Sequence, residues 1–394
     1  MTREVLFVGT ARTAIGSFGG SLKDVPLPDL ATTAVKAAVQ RAGLSPEQVG
    51  HLVMGNVIPT TPQDAYLSRV AALQAGIPAS TPAFNVNRLC GSGLQAVVSA
   101  AQALLLGDTD VAIGAGAESM SRGAYLMPAA RWGQRMGDAT VVDFMLGALH
   151  DPLQKIHMGI TAENVAAKFG ITREMQDALA VESQQRAARA IKEGRFKEQI
   201  VPVEIAGRKG TVIFDTDEHV RADVTADALA KMKTAFKKEG GTVTAGNASG
   251  INDGAAAVVM AEAQAAKSLG LKPLARLVAY AHAGVEPELM GIGPVPASRA
   301  ALKRAGLSVN QLDVIESNEA FAAQACAVAK ELDFDPAKVN PNGSGISLGH
   351  PVGATGAILV VKAIAELQRI QGRYALVTMC IGGGQGIAAI IERV

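Results

Sequence analysis

The sequence predicts an α/β protein built from two similar halves, with a segment inserted into the first. Three observations carry this prediction. Residues 35–45 (Val-Lys-Ala-Ala-Val-Gln-Arg-Ala-Gly-Leu-Ser) and 298–308 (Ser-Arg-Ala-Ala-Leu-Lys-Arg-Ala-Gly-Leu-Ser) agree at seven of eleven positions without a gap. Such self-similarity marks an internal repeat. In both halves, short apolar runs alternate with stretches of helical periodicity, the arrangement that builds parallel or mixed sheets covered by helices. The stretch from about Ser121 to Gly250 then interrupts the repeat.

Each element follows in order. Residues 3–8 read as a first strand. The repeat helix of the first half ends at Gly43 and that of the second at Gly306, where glycine readily adopts the left-handed turn closing a helix. A polar turn and a strand follow each, at 51–54 and 313–316. Cys90 then lies 49 residues beyond Arg41, and His350 lies 46 residues beyond Arg304. Behind Cys90, apolar residues recur at helical spacing (Leu94, Val97, Val98, Ala101, Leu104, Leu105) up to Gly107, and a strand follows at 111–113. Behind His350, Pro351 is expected at the first helical position. That helix should run to Gly372 and lead into a strand at 374–378. Cys90 and His350 therefore stand at equivalent helix starts. In the insertion, residues 172–193 read as a helix and 231–239 as a charged region, and insertions of this kind commonly supply substrate-binding loops.

Composition narrows the function classes. With 394 residues the chain can bury large cores. A formal charge of +1 provides no electrostatic footprint for nucleic acid. Three cysteines in so long a chain suit a reducing compartment, and a cytoplasmic location is expected. No signal segment is read at the N-terminus and no run of membrane-span length and apolarity is read, so no membrane partner is expected. The sequon Asn247-Ala248-Ser249 has no secretory context. His51, His219 and His282 have no Cys or carboxylate at ligand spacing, and no metal is expected.

The chemistry-bearing residues sit in glycine-rich loops. Cys90 is followed by Gly91-Ser92-Gly93 and precedes a helix, whose positive end favours a thiolate; a packing role is the alternative. The following residues also fit a loose dinucleotide pattern, but the flanking strand is interrupted and no acidic partner follows. His350 lies in Gly345-Ile346-Ser347-Leu348-Gly349-His350-Pro351, where a helix start disfavours imidazolium and favours a neutral base. Cys380 precedes Gly382-Gly383-Gly384, whose open amides could hold an oxyanion while the thiol moves a proton. Asn318 ends a strand, as a turn or cap residue or as part of a site. Cys326, in mid-helix, reads as packing.

Four blocks, Asn87-Arg88-Leu89-Cys90-Gly91-Ser92-Gly93, Asn318-Glu319-Ala320-Phe321, Gly349-His350-Pro351-Val352-Gly353 and Cys380-Ile381-Gly382-Gly383-Gly384-Gln385-Gly386, resemble the signatures of the thiolase family in order and spacing, and the resemblance spans the chain. It is strongest to bacterial biosynthetic β-ketothiolases, which supply short 3-ketoacyl-CoA for polyhydroxyalkanoate metabolism. The resemblance implies a duplicated α-β-α-β-α sandwich: residues 1–120 with about 251–273 as the N-terminal core half, 121–250 as a loop domain covering coenzyme A, and 274–394 as the C-terminal half.

It also implies a reversible Claisen condensation of acetyl-CoA with acetyl-CoA or a short acyl-CoA, with CoA thioesters as substrates and no permanently bound cofactor. Cys90 would be the nucleophile, His350 its base and an oxyanion-hole member, and Cys380 the acid/base for the α-proton. Asn318 would hold an oxyanion-hole water, and the Gly382 amide would serve a second hole. His157, Met158, Ser249, Ala320 and Phe321 would line the pantetheine path, with Leu149, Arg221, Phe236, Ala248 and Met290 matching less distinctively. A homotetramer, a dimer of dimers, is implied, with its tetramer-forming loop at 125–138. A degradative 3-ketoacyl-CoA thiolase, a decarboxylating ketoacyl synthase, which would carry a second His where Cys380 stands, and a non-catalytic acyl-CoA or lipid carrier are the alternatives. An inactivating disulfide between Cys90 and Cys380 is a further possibility.

Overall fold

The computed structural model describes residues 3–207 and 210–394. Its central sheet contains β1 (Val5–Arg12), β2 (His51–Gly55), β3 (Ala83–Val86), β4 (Val111–Ser119), β5 (Asn252–Glu262), β6 (Ala275–Gly284), β7 (Val314–Ser317), β8 (Tyr374–Ile381) and β9 (Gln385–Arg393). The spatial order is β3-β2-β4-β5-β1-β6-β9-β8-β7, and the short strand Gly16–Ser17 pairs with β5.

The duplication read from one helix pair extends through this whole order. β2 runs parallel to β4, which pairs antiparallel with β5, which pairs antiparallel with β1. In the other half β7, β8, β9 and β6 repeat the same directions. The parallel edge strand β3 has a one-residue counterpart, the bridge between Ile315 and Val339. Even a register irregularity is repeated, between Phe7 and Gly9 in β1 and between Leu277 and Ala279 in β6. The halves meet where Leu6 and Phe7 pair with Arg276 and Ala275.

Four helices complete the layers: α1 (Leu27–Arg41), α2 (Ser92–Leu106), α3 (Pro294–Ala305) and α4 (Val352–Ile370). α1 covers the outer face of the first half-sheet and α3 that of the second. α2 and α4 lie side by side between the half-sheets, with α4 touching strands of both. Both outer helices end at a glycine with positive φ, Gly43 and Gly306. Each leads into a turn closed in the same way, the Gln48 amide oxygen accepting from the Ser45 N–H and that of Gln311 from the Ser308 N–H. An 18-residue window at Leu89–Leu106 is apolar enough to cross a membrane, which the sequence reading did not register. Its apolarity has another cause, because α2 is buried between two sheets.

Small shifts separate the expected elements from the observed ones. Pro351 caps α4 rather than occupying its first turn, and Gln371, not Gly372, takes the left-handed conformation at its end. Thr172 caps the helix Arg173–Lys192 through its hydroxyl. Among the described residues of 121–250 the strands pair outside the central sheet, in small two-stranded ribbons. This segment is tied to the core by the buried ion pair of Arg12 with Asp217, at 2.8 Å.

The middle layer depends on glycine. A Cβ on Gly93 of α2 would lie 2.7 Å from the Ala357 nitrogen of α4, and one on Gly356 of α4 would collide with the Leu94 backbone. Gly55 and Gly116, on β2 and β4, abut the starts of the same helices just as closely. Replacing Gly356 with Ala would force α2 and α4 apart, and overpacking of this kind costs about 1–3 kcal/mol or more. The G356A protein should therefore unfold at lower denaturant concentration, measured by circular dichroism, while Gly147→Ala, where a Cβ meets open space and the backbone is not left-handed, should shift the midpoint much less.

Candidate active site

The two central helices point their N-termini at one place. Cys90 precedes α2 and His350 precedes α4, so the packing that aligns the helices brings the thiol and the imidazole to the same end of the middle layer. The C-terminal ends of β7 and β8 arrive there from the second half, with Asn318 following β7 and Cys380 next to last in β8. A cavity of about 380 Å³ opens onto this point and is lined by both Cys90 and His350.

Cys90 lies in a tight turn. The residue before it, Leu89, holds a positive φ of 46°, and Gly91 lies so close to Ile381 that a Cβ would meet its side chain at 2.5 Å. The backbone N–H groups of Gly382 and of Cys90 itself lie near the Cys90 sulfur. Those donors favour thiolate, but burial outweighs them and pushes the thiol up to about 11. The residue is partly exposed and lines the cavity. The stabilisation expected from the helix start alone is thus overcome by desolvation. Cys380 is fully buried, and burial, followed by the neighbouring charge of Cys90, pushes its thiol up strongly.

His350 is held from three sides. Its N–H donates to the Asn252 side-chain oxygen at 2.9 Å, its Nδ1 lies 2.7 Å from the Thr355 hydroxyl, and its Nε2 faces the Asn318 amide nitrogen at 3.4 Å. Burial lowers its pKa to about 4, so the imidazole is neutral, as the sequence led one to expect. The Asn318 Oδ1 is buried without a partner among the described residues.

Below the site lies a carboxylate that sequence reasoning missed. Glu118, at the end of β4, is fully buried and has no cationic partner among the described residues. It accepts instead from the Asn56 amide at 2.8 Å and from the Val57, Ile58 and Gly353 N–H groups at 3.2, 3.0 and 2.8 Å. Burial still raises its pKa to about 8. Glu118 thereby ties the first half to the first turn of α4. A lone acidic residue closing a run of small apolar ones (Val111 to Ala117) was the available signal. Asn252, after Gly250-Ile251, gave no comparable cue.

Of the residues proposed from sequence for the pantetheine path, Leu149, His157, Met158, Phe236, Ala248, Ser249, Met290, Ala320 and Phe321 all line the cavity. Arg221 does not: it is exposed, with its N–H bound to the Gln184 side chain. The wall is built by aromatic contact and backbone pairing. His157 caps the helix Met158–Phe169 by accepting from the Gly159 N–H, and its ring stacks on Phe236 with centroids 4.6 Å apart. Phe236 in turn meets Phe321 edge-on. The Ser249 N–H donates to the Ala320 carbonyl and the Ala322 N–H to that of Asn247. Asn247 is fully buried, with its amide bound to Asp177, so its sequon is closed to any sugar. Met120, Leu146, Ile251 and Val352 also line the cavity, and sequence reasoning did not single them out. Asn318, Cys380 and Gly382 lie behind the lining rather than in it.

A buried thiol near 11 beside an imidazole near 4 makes the neutral pair the resting form at every pH between those values. Alkylation of Cys90 by iodoacetamide should accordingly keep accelerating through pH 9 and 10. A plateau reached near pH 7 would reveal a preformed thiolate–imidazolium pair instead.

Comparisons with known proteins agree along the whole chain. Residues 5–264 match the model for the thiolase N-terminal domain and residues 271–393 that for the thiolase C-terminal domain. A beta-ketothiolase of Cupriavidus necator is 68% identical over 394 residues, covering all of both chains. An acetyl-CoA acetyltransferase of Chromobacterium violaceum is 53% identical, covering 99% of this chain and all of its own. Among solved structures, human mitochondrial 3-ketoacyl-CoA thiolase superposes with a TM-score of 0.97 at 44% identity, with each chain fully covered.

Proposed function

The chain belongs to the thiolase family, and from that premise we propose that it is an acyltransferase joining acetyl-CoA to acetyl-CoA or a short acyl-CoA through an acyl-enzyme on Cys90. The observation that carries this reading is the meeting, at the cavity's inner end, of a thiol faced by two backbone N–H groups and a neutral imidazole.

In the first half-reaction His350 Nε2 takes the Cys90 proton as the sulfur attacks the thioester carbonyl. The C–S bond to coenzyme A breaks, and the departing thiolate takes the proton from His350. Exchanging one thioester for another keeps the acyl group reactive. The Cys90 and Gly382 amides stabilise the oxyanion on the acyl group. In the second half-reaction Cys380 passes its proton to His350 and, as thiolate, takes the α-proton of an incoming acetyl-CoA. His350 and a water held by Asn318 stabilise the enolate oxygen; the buried, unpartnered Asn318 Oδ1 marks polar capacity at that position. The enolate carbon attacks the acyl carbonyl, the bond to Cys90 breaks, and the released thiolate takes the proton from His350. Each set of oxyanion donors lowers its barrier by about 3–4 kcal/mol. Thiolysis runs the same path backward.

Residues 121–250 act as the loop domain that covers coenzyme A, between core halves at 1–120 with about 251–273 and at 274–394. The protein works in the cytoplasm, supplying short 3-ketoacyl-CoA for polyhydroxyalkanoate metabolism, without a resident cofactor. It assembles as a homotetramer. Support for assembly comes from the 125–138 loop, where Trp132 is 87% and Met136 91% exposed in the single chain, a level of apolar exposure that suits an interface.

Incubation with acetyl-labelled acetyl-CoA should leave label on Cys90 in the wild-type protein and in Cys380→Ser, and none in Cys90→Ala. Cys380→Ser should lose condensation and thiolysis by roughly 100-fold or more, the usual scale for a general acid/base group. Wild-type turnover by Cys90→Ser would remove the scheme. Trp132→Ser combined with Met136→Ser should halve the mass seen by light scattering; an unchanged mass would exclude the loop from assembly.

A further inference from the structure

We propose that Thr355 is a positioning residue that holds His350 in the tautomer protonated on Nδ1, leaving Nε2 bare for the Cys90 proton. The proposal rests on reading His350 as the base. A threonine hydroxyl has one hydrogen to give and lone pairs to accept with. Thr355 lies in the first turn of α4, fully enclosed, and its hydroxyl donates back to the Pro351 carbonyl at 2.9 Å. Bonding of a hydroxyl to the carbonyl four residues earlier is a normal helical option for threonine. With its hydrogen so placed, Thr355 Oγ1 can only accept from His350 Nδ1, 2.7 Å away, and the ring proton must sit there.

The opposite ring nitrogen agrees. Nε2 faces the NH₂ of Asn318 at 3.4 Å. A bare Nε2 accepts from that group. Turning the hydroxyl toward Nδ1 would place the ring proton on Nε2, where donor would meet donor. Among the described residues no other hydrogen bond is made to the ring nitrogens, since the Asn252 contact is to the His350 backbone. A neutral imidazole has two tautomers, and only one leaves Nε2 able to accept a proton from sulfur. The tautomer is therefore set by a side chain five residues along the chain that does not line the substrate cavity.

The contact is also separable from folding. The Pro351 carbonyl already accepts from the Ala354 and Thr355 N–H groups, both at 2.9 Å. Thr355→Val keeps the shape and leaves that carbonyl satisfied, so the group it strands is His350 Nδ1. Thr355→Ser keeps the hydroxyl.

The test is nitrogen NMR of protein labelled with ¹⁵N-histidine, the His350 signals being identified by their loss in His350→Gln, together with single-turnover release of coenzyme A. The wild-type and Thr355→Ser proteins should show a protonated Nδ1 and a bare Nε2. Thr355→Val should lose that pattern and release coenzyme A about 100-fold more slowly, with KM little changed. A wild-type spectrum with the proton on Nε2 overturns the proposal even if the valine variant does not fold. So does a folded Thr355→Val protein with an unaltered tautomer. A lost tautomer with an undiminished release rate would instead overturn His350 as the base, and with it a catalytic role for Thr355, while leaving the tautomer assignment intact.

Discussion

The close approach of α2 and α4 is the constraint on which the molecule depends. Two helices packed through ordinary side chains keep their axes about 8–10 Å apart. Here glycines on facing turns, Gly93 and Gly356, let backbone meet backbone, and Gly55 and Gly116 let the strands press on the same helix starts. Within this layer α4 touches strands of both half-sheets. The close approach also brings two helix N-termini, each preceded by a reactive side chain, to one end of the cavity. A looser middle layer would separate the thiol from the imidazole before disturbing either one's own loop.

Buried charge serves the same geometry. Lys362 of α4 and Glu316 of β7 form an ion pair at 2.7 Å with both side chains enclosed, locking the central helix to the strand that leads into Asn318. Arg12 and Asp217 lock β1 to the inserted segment, and Glu118 locks β4 to the first turn of α4. Replacing such pairs by apolar groups often costs little stability, so pairing alone does not account for them. Each joins two elements whose relative position sets a side chain of the site. Glu118 shows the limiting case, a carboxylate with only amides around it, held above its usual range by burial yet satisfied at both oxygens.

Much of this was legible in the sequence, for physical reasons that differ from residue to residue. The repeat at 35–45 and 298–308 was visible because a surface-facing amphipathic helix and its glycine stop impose a local pattern. Cys90 and His350 were visible because glycines flank them, and glycine beside a reactive group signals close approach. Helix ends were less so: Gln371 adopts a left-handed turn that any sequence rule would give to Gly372. Thr355 and Asn252 were out of reach, and Glu118 was hinted at only by its place after a run of small apolar residues, because each acts through a partner that only the fold supplies, at sequence distances from five to more than two hundred residues. Arg221 is a different case, a position matched through the family resemblance that is exposed and does not line the cavity.

The repeated half also bears on how such a site could arise. Two identical half-chains packed about a two-fold axis would place the same residue at both inner helix starts: two thiols or two imidazoles, never one of each. A proton donor facing a proton acceptor is an asymmetric pair, and symmetry forbids it. Joining the copies into one chain let Cys90 and His350 diverge at equivalent positions while the sheet order, the strand directions and even the register irregularity stayed the same. The covalent link between the halves is in that sense a symmetry-breaking device, and the chemistry exists only because it was broken.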